Sequence, residues 1–307
     1  MLSFTGNASS QARLLGLAGA CVLLGASCMS GQTPAVMDNV SGFRLLVDDG
    51  SYLPALRLVL PGQPISKGIL IIFPEHVTVR ERGKRDAVHL YLWRPGQQGD
   101  RPAWRRVGQA LEYEMELKNG VHMVARATLE SDGVRYRYTF ISRSGTDYEM
   151  IQAITDPRLF QSMFRDVRLE RTYVHRKGGF ELLASDLSAR LTMPLNQWLP
   201  ARYLDSYTWP VPLPEKRIVK DEGITYYHAS RPVDEPFIAT ISEDGKWIAA
   251  TWNPDAGNVW TNPELTCQHA DAETSLNAGG PAELEVKTFV FRGTLEQVLA
   301  KVGQDRK

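Results

Sequence analysis

The sequence predicts an all-β fold: an antiparallel β-sandwich with one short C-terminal helix. Three observations carry this. Twelve short runs are rich in β-branched and aromatic residues and are punctuated by Gly, Pro, Asp or Asn. Only one segment, at the extreme C-terminus, has helical periodicity. Asp132-Gly133 is a strong two-residue turn signal between two alternating runs. Facing antiparallel sheets are the layers that bury the apolar faces of so many strands.

The chain opens on a targeting segment, residues 1–28. Arg13 is the only charged side chain before the apolar run LLGLAGACVLLGA (14–26). That run falls short of the roughly 20 apolar residues that span a bilayer, so it reads as a secretory signal. Leu24-Gly25-Ala26-Ser27-Cys28 resembles a bacterial lipoprotein signal, whose cysteine becomes the lipidated N-terminus, although Gly25 stands where that signal usually has Leu. The expectation is an exported protein, periplasmic or anchored at the outer membrane through a lipidated Cys28. Residues 29–42 are small and polar and read as a tether. Residues 43–307 read as a single β-sandwich domain.

Strands are expected at 56–60, 69–73, 88–93, 111–117, 121–129, 134–141, 148–155, 167–174, 224–228, 237–241, 246–252 and 284–291. A turn centred on Asp132-Gly133 pairs Glu130 with Arg135, Leu129 with Tyr136, Ala127 with Tyr138 and Ala125 with Phe140. Met123, Ala125, Ala127, Leu129, Tyr136, Tyr138 and Phe140 then face the core. The other face carries His122, Arg126, Arg135, Arg137 and Arg143. A solvated sheet surface is the plainer reading of that face; a basic floor for an anionic or hydroxyl-rich ligand is the functional one. The Pro- and aromatic-rich stretch 193–215 is either a linker or a cleft lining. Thr294 and Gln297 form a capping box ahead of Leu295, Val298, Leu299 and Val302, which recur at helical spacing.

Composition narrows the function. The formal net charge is +0, and no basic run occurs, so nucleic acid is not an expected partner. Of three cysteines, two lie in the signal, leaving Cys267 without a disulfide framework. There is no Gly-x-Ser-x-Gly elbow, phosphate-cradling loop, His-Glu-x-x-His or Cys-x-x-Cys, and the six histidines are scattered. No cofactor and no metal is expected.

Four clusters compete for the chemistry. Glu75-His76 follows an apolar run through Pro74, but neighbours on a strand point to opposite faces. The run 91–102 reads as a long polar hairpin loop or a ligand contact. In the run 226–236, Tyr226 and His228 share a strand face, and Arg231, Asp234 and Glu235 follow in a Pro-bounded loop that suits a pocket rim. The run 253–269 (NPDAGNVWTNPELTCQH) fits neither helix nor strand and reads as a binding loop. There Trp260 offers a stacking plate, Asn262 a donor and an acceptor, and Glu264 and His269 acid/base groups, while Cys267 reads as a small buried residue.

The segment DGVRYRYTFISRSG, with the late strand AELEVKTFVFRGTLEQVL, resembles the sugar-active β-supersandwich proteins, the galactose-mutarotase-like group, over residues 110–301. The resemblance implies a carbohydrate ligand and an exported bacterial member of that group. Such enzymes use a His and a Glu to move a proton between ring oxygen and anomeric hydroxyl; by order along the chain these are His228 or His175 with Glu264. The expected function is therefore a carbohydrate-active enzyme working by proton transfer: epimerase, lyase or glycosidase. Glu264, His228 and His269 are the catalytic candidates. Trp260, Asn262, Arg231, Glu235, Tyr226 and Arg126 are the substrate-binding ones, and glycoside cleavage would draw a second carboxylate from Asp234 or Glu235. The alternative is a non-catalytic carbohydrate-binding or envelope-structural lipoprotein.

Overall fold

The computed structural model describes residues 35–37, 40–90, 92, 101–184, 202–208, 218–221, 224–228 and 233–306. The signal with Cys28, Arg231, and most of 91–102 and 193–215 lie outside the described residues. The strands form three sheets, antiparallel apart from one parallel pair, Arg202–Thr208 with Ile224–His228. A five-stranded sheet runs Ala35–Met37, Arg44–Val47, Ala55–Val59, Ile69–Ile72, Asp156–Arg158. A nine-stranded sheet has Pro281–Arg292 near its middle, between Trp247–Trp252 and the hairpin Val121–Glu130/Gly133–Ser142. An eight-stranded sheet runs Ile218–Asp221, Ile224–His228, Arg202–Thr208, Ala256–Thr261, His269–Leu276, Tyr148–Ala153, Val77–Glu81, Val88–Leu90. One α-helix, Leu295–Asp305, and a single 3-10 turn, Ile65–Lys67, are found among the described residues. The edge strand Ala35–Met37 lies within the segment read as a tether and pairs with Arg44–Val47.

The main core draws on all three sheets. Leu45, Leu56, Leu58, Ile69, Ile71 and Phe73 meet Tyr113, Tyr136, Tyr138 and Phe140 of the nine-stranded sheet and Val77, Ile151 and Leu276 of the eight-stranded one. Each such side chain contributes roughly 1.5–3 kcal/mol when buried. Two of the buried tyrosine hydroxyls find partners: Tyr113 donates to the Phe73 carbonyl at 2.6 Å, and Tyr138 shares a proton with Thr155 at 2.7 Å.

The hairpin keeps its predicted faces but not its predicted register. Gly133 pairs with Glu130, Tyr136 with Ala127, and Tyr138 with Ala125, a two-residue shift that centres the turn on Ser131-Asp132. A shift of two preserves side-chain alternation, so Met123, Ala125, Ala127, Leu129, Tyr136, Tyr138 and Phe140 are still the buried face. The cause is the third strand. Gly133 has φ +148°, and a Cβ there would lie 1.9 Å from the Thr288 carbonyl oxygen. The glycine serves close approach to Pro281–Arg292, not the turn centre.

The opposite face is charged and internally paired. Arg126 lies 3.5 Å from Glu112, Arg137 2.7 Å from Glu285, and His122 2.8 Å from Glu116. Arg135 reaches Glu130 at 2.6 Å and Asp305 at 3.1 Å, and Arg143 also pairs with Glu116. Each arginine of that face is thus ion-paired with a carboxylate, as the plainer reading of a solvated sheet surface expects. The capping box forms as expected, with the Thr294 N–H donating to Gln297 Oε1 at 3.0 Å. Leu295, Val298 and Val302 then dock on Ile248, Trp252 and Phe291. Lys287, buried beside the helix end, meets Glu130, Asp132 and Asp305 at 2.7, 3.2 and 2.8 Å.

Two element expectations change. The strand expected at 167–174 begins at Thr172, because the Asp166 carboxylate accepts from the backbone N–H groups of Glu170 and Arg171 and holds the preceding residues in a turn. The irregular loop expected at 253–269 contains a strand, Ala256–Thr261, paired with His269–Leu276. Pro254 and Pro263 bracket that strand instead of interrupting it. Residues 253–255 and 262–268 are the parts outside a strand.

Candidate functional site

The chain reversal after Thr261 is built by Asn262, whose Oδ1 accepts from the Glu264 N–H at 3.1 Å while its own N–H donates to Cys267 Sγ at 3.0 Å. Thr266 turns left-handed at φ +46°, and its hydroxyl accepts from the Asp166 N–H at 2.9 Å. The Gln268 N–H donates to the Pro157 carbonyl at 3.0 Å, and its buried side chain links Thr251, Thr240 and the Ala249 carbonyl. These bonds dock the loop onto Asp156–Arg158, where Arg158 and Cys267 form an isolated bridge. The turn points Cys267 and His269 inward and leaves Glu264 outside.

A dense polar cluster results. His269 and Asp156, each 1% exposed, face one another with Nε2 3.3 Å from Asp156 Oδ1. On the ring's other side, Nδ1 lies 3.7 Å from Asp271 Oδ1. Trp260, directly opposite on the neighbouring strand, stacks on His269 with ring centroids 3.6 Å apart and planes 5° apart, and its Nε1–H donates to Asp271 Oδ2. Arg158 Nε donates to Asp156 Oδ2 at 2.5 Å, and its NH2 reaches Glu75 at 3.2 Å. His76 and His89 meet edge to face at 4.7 Å, and His89 Nδ1 shares a proton with Thr78 Oγ1 at 2.8 Å. Glu75, His76 and Trp260 are partly exposed and His89 is exposed, so these four rim a floor of Asp156, Cys267, His269 and Asp271.

The electrostatics follow from that layering. Burial pushes the Glu75 carboxyl up, and the nearby Asp156 charge adds to it, against His269 and Arg158. Burial, then the neighbouring His89, brings His76 down to about 4, so it is neutral at pH 7. Burial opposes charge on His269, but the Cys267 and carboxylate neighbours overcome it and hold the imidazole well above its usual range. Since burial raises the Cys267 thiol, Asp156 and Asp271 are the anions that sustain that charge. Asp156 is held low despite its burial, by His269 and Arg158.

Of the expected site residues, the structure brings Trp260 and His269 together and places Asn262 beneath them as the turn-former. Glu264 is exposed on the loop's outer side and has no ion pair among the described residues, so the structure does not bring it to the His269 cluster. Glu235 pairs with Arg306 at 2.6 Å beside the helix end and is not among the partners of the His269 cluster. His175, on the strand Thr172–Arg176, one strand in from the edge of the nine-stranded sheet, pairs with Asp234 at 2.6 Å. Arg126 sits on the charged face opposite the core-facing Ala125 and Ala127. Tyr226 and His228 are in the strand Ile224–His228, where backbone register aligns His228 with Ser206, Trp260 and His269 in one cross-strand row. Three strand spacings, roughly 14 Å, separate its two ends.

Asp156, Arg158, His89 and Asp271 were not among the sequence candidates. Asp271 had a signal, because it lies two residues beyond His269 and shares its face once that segment is a strand. A separate cleft of about 340 Å³, lined by Lys84, Arg85, Asp86, Leu90 and Tyr148 among others, holds none of the site residues.

No protein-family model and no curated protein matches the sequence. Solved structures do match in shape. The Slr1438 protein from Synechocystis sp. PCC 6803 is 11% identical, with 85% of this chain and 96% of that one covered at a TM-score of 0.48. A galactose mutarotase related enzyme from Lactobacillus acidophilus is 8% identical, with 84% and 97% covered at 0.47. A galactose mutarotase-like protein from Clostridium acetobutylicum is 6% identical, with 85% and 99% covered at 0.41. The latter two bear the name of the group that the strand texture resembles.

Proposed function

We propose that the protein is an exported carbohydrate-active enzyme working by proton transfer at the Glu75–His76–His89 rim, with Glu264 taking no part. One observation carries the reading: the partly exposed Glu75 carboxyl and the edge-to-face pair His76–His89 lie at an accessible edge over a buried array of Asp156, His269 and Asp271. Accessible acid/base groups held by buried, ion-paired ones are what general acid–base catalysis requires. Trp260 adds an apolar plate beside carboxylates, a combination that suits the face and hydroxyls of a sugar ring. Export rests on the 14–26 apolar run and its small-residue sequel.

The reading is tested with a panel of neutral and uronic sugars. At least one should raise the melting midpoint and change under the enzyme, followed by proton NMR. Glu75→Gln should keep the thermal shift and lose turnover. Stabilisation by no sugar removes the carbohydrate reading. Binding with no turnover by the wild-type chain supports the second reading, a non-catalytic carbohydrate-binding or envelope-structural lipoprotein. The isolation of Glu264 on an open surface favours that alternative for the 262–268 loop.

A further inference from the structure

We infer that Asp156, Cys267 and His269 form a binding site for one divalent cation of borderline softness, with Zn²⁺ as the natural occupant. A ligand atom from each of the three lies within 4.8 Å of the other two, and all three residues are buried. A tetrahedral zinc centre with bonds of about 2.0–2.3 Å puts its ligand atoms roughly 3.3–3.8 Å apart. His269 Nε2 and Asp156 Oδ1 already stand 3.3 Å apart, so closing the set requires at most ~1 Å of adjustment.

The buried atoms around the set are arranged as a metal site needs. Asp156 Oδ2 is held by Arg158, whereas Oδ1, the oxygen facing His269, has no hydrogen-bond partner among the described residues. A buried carboxylate oxygen left unsatisfied is costly unless something binds there. His269 Nδ1 likewise lacks a hydrogen bond, and faces Asp271 at 3.7 Å. With Nε2 on a metal, Nδ1–H would turn to that carboxylate, the outer partner that orients a metal-bound imidazole. Asp271 is itself fixed by Trp260 Nε1–H. Cys267 Sγ accepts the Asn262 N–H at 3.0 Å, a bond that a metal-bound thiolate retains. The three ligands come from segments already clamped by the Arg158–Cys267 bridge and the Gln268–Pro157 hydrogen bond.

The donor set selects the ion. One thiolate, one imidazole and one carboxylate suit Zn²⁺ or its spectroscopic substitute Co²⁺; Ca²⁺ and Mg²⁺ take oxygen sets, and Cu⁺ takes softer ones. Three protein ligands leave a fourth position open. Binding replaces the proton on His269 Nε2, which pairs with Asp156 across 3.3 Å, and releases the thiol proton of Cys267. The inference does not depend on the sugar reading, since a chain inert to every sugar would still bind the ion.

The test uses the full chain, freed of metal with a chelator and titrated with Co²⁺. The expected result is saturation at one ion per chain with a thiolate-to-cobalt charge-transfer band, which Zn²⁺ then abolishes by displacement. The melting midpoint should rise with Zn²⁺ concentration. Cys267→Ser should lose the band, and Asp156→Asn should weaken binding about tenfold or more. Absence of saturable binding, or a saturated Co²⁺ spectrum without the thiolate band, overturns the inference and leaves His269–Asp156 as an ion pair only. Should either variant fail to fold, the wild-type Co²⁺ spectrum decides alone.

Discussion

Replacing His76 by glutamine should make the protein less sensitive to mild acid. In the native chain His76 has a pKa of about 4, lowered by burial and by His89. In the unfolded chain an imidazole titrates near 6.5. Between these values the unfolded state binds a proton that the native state does not, so stability falls as pH falls through the window. Linkage makes the loss ~2 kcal/mol on going from about pH 8 to about pH 5, and ~3 kcal/mol by about pH 4. Glutamine keeps a polar side chain of similar reach and removes the proton. Urea unfolding of wild type and His76→Gln at both pH values measures the effect, and the difference between the two chains cancels the titration of groups that do not interact with His76. The variant should lose about 2 kcal/mol less than wild type at about pH 5. Equal losses would show that His76 is protonated in the native state, and would remove a neutral proton acceptor from the rim.

Three further outcomes follow from the packing. Gly133→Ala should lower the urea midpoint sharply, by an equivalent of more than ~3 kcal/mol, because the new Cβ meets the Thr288 carbonyl at 1.9 Å in a left-handed backbone; a shift under 1 kcal/mol would contradict the close strand approach. Lys287→Met should cost about 2–4 kcal/mol, since Glu130, Asp132 and Asp305 lose a shared buried cation, and hydrogen exchange should show the C-terminal helix loosened first. Glu264→Gln should change neither the melting midpoint nor any sugar-dependent activity, measured beside Glu75→Gln; a turnover loss confined to the Glu264 variant would return the chemistry to the loop.

Much of the fold was legible because alternation is a local property. The strands around Val121–Glu130 and Gly133–Ser142, the core face from Met123 to Phe140, and the capping box at Thr294 all depend on neighbours a few residues apart. The hairpin register was not legible. It depends on how closely Pro281–Arg292 approaches Gly133, and that strand lies about 150 residues away. The same distinction governs the site. Trp260 and His269 are visible in the sequence as chemistry-bearing residues, but their direct cross-strand pairing is not, because the run 253–269 as a whole fits neither periodic pattern. Pro254 and Pro263 bracket a strand within it.

Glu75-His76 shows where a sound rule was applied to the wrong backbone. Alternation sends neighbouring side chains to opposite faces only within a strand, and this pair lies in the bend between Ile69–Ile72 and Val77–Glu81. Freed from that constraint, Glu75 and His76 both come under the influence of Asp156, His269 and Asp271. The bend is pinned on each side by the same partner: the Glu75 N–H donates to the Ile154 carbonyl, and the Ile154 N–H donates to the His76 carbonyl. Ile154 is two residues before Asp156, so the hydrogen bonds that hold the rim also place the floor beneath it. Rim and floor thus come from strands of two different sheets joined at one crossing. A change to the backbone at Ile154 would move the accessible acid/base groups and the buried carboxylate together, which is why no single stretch of sequence contains the site.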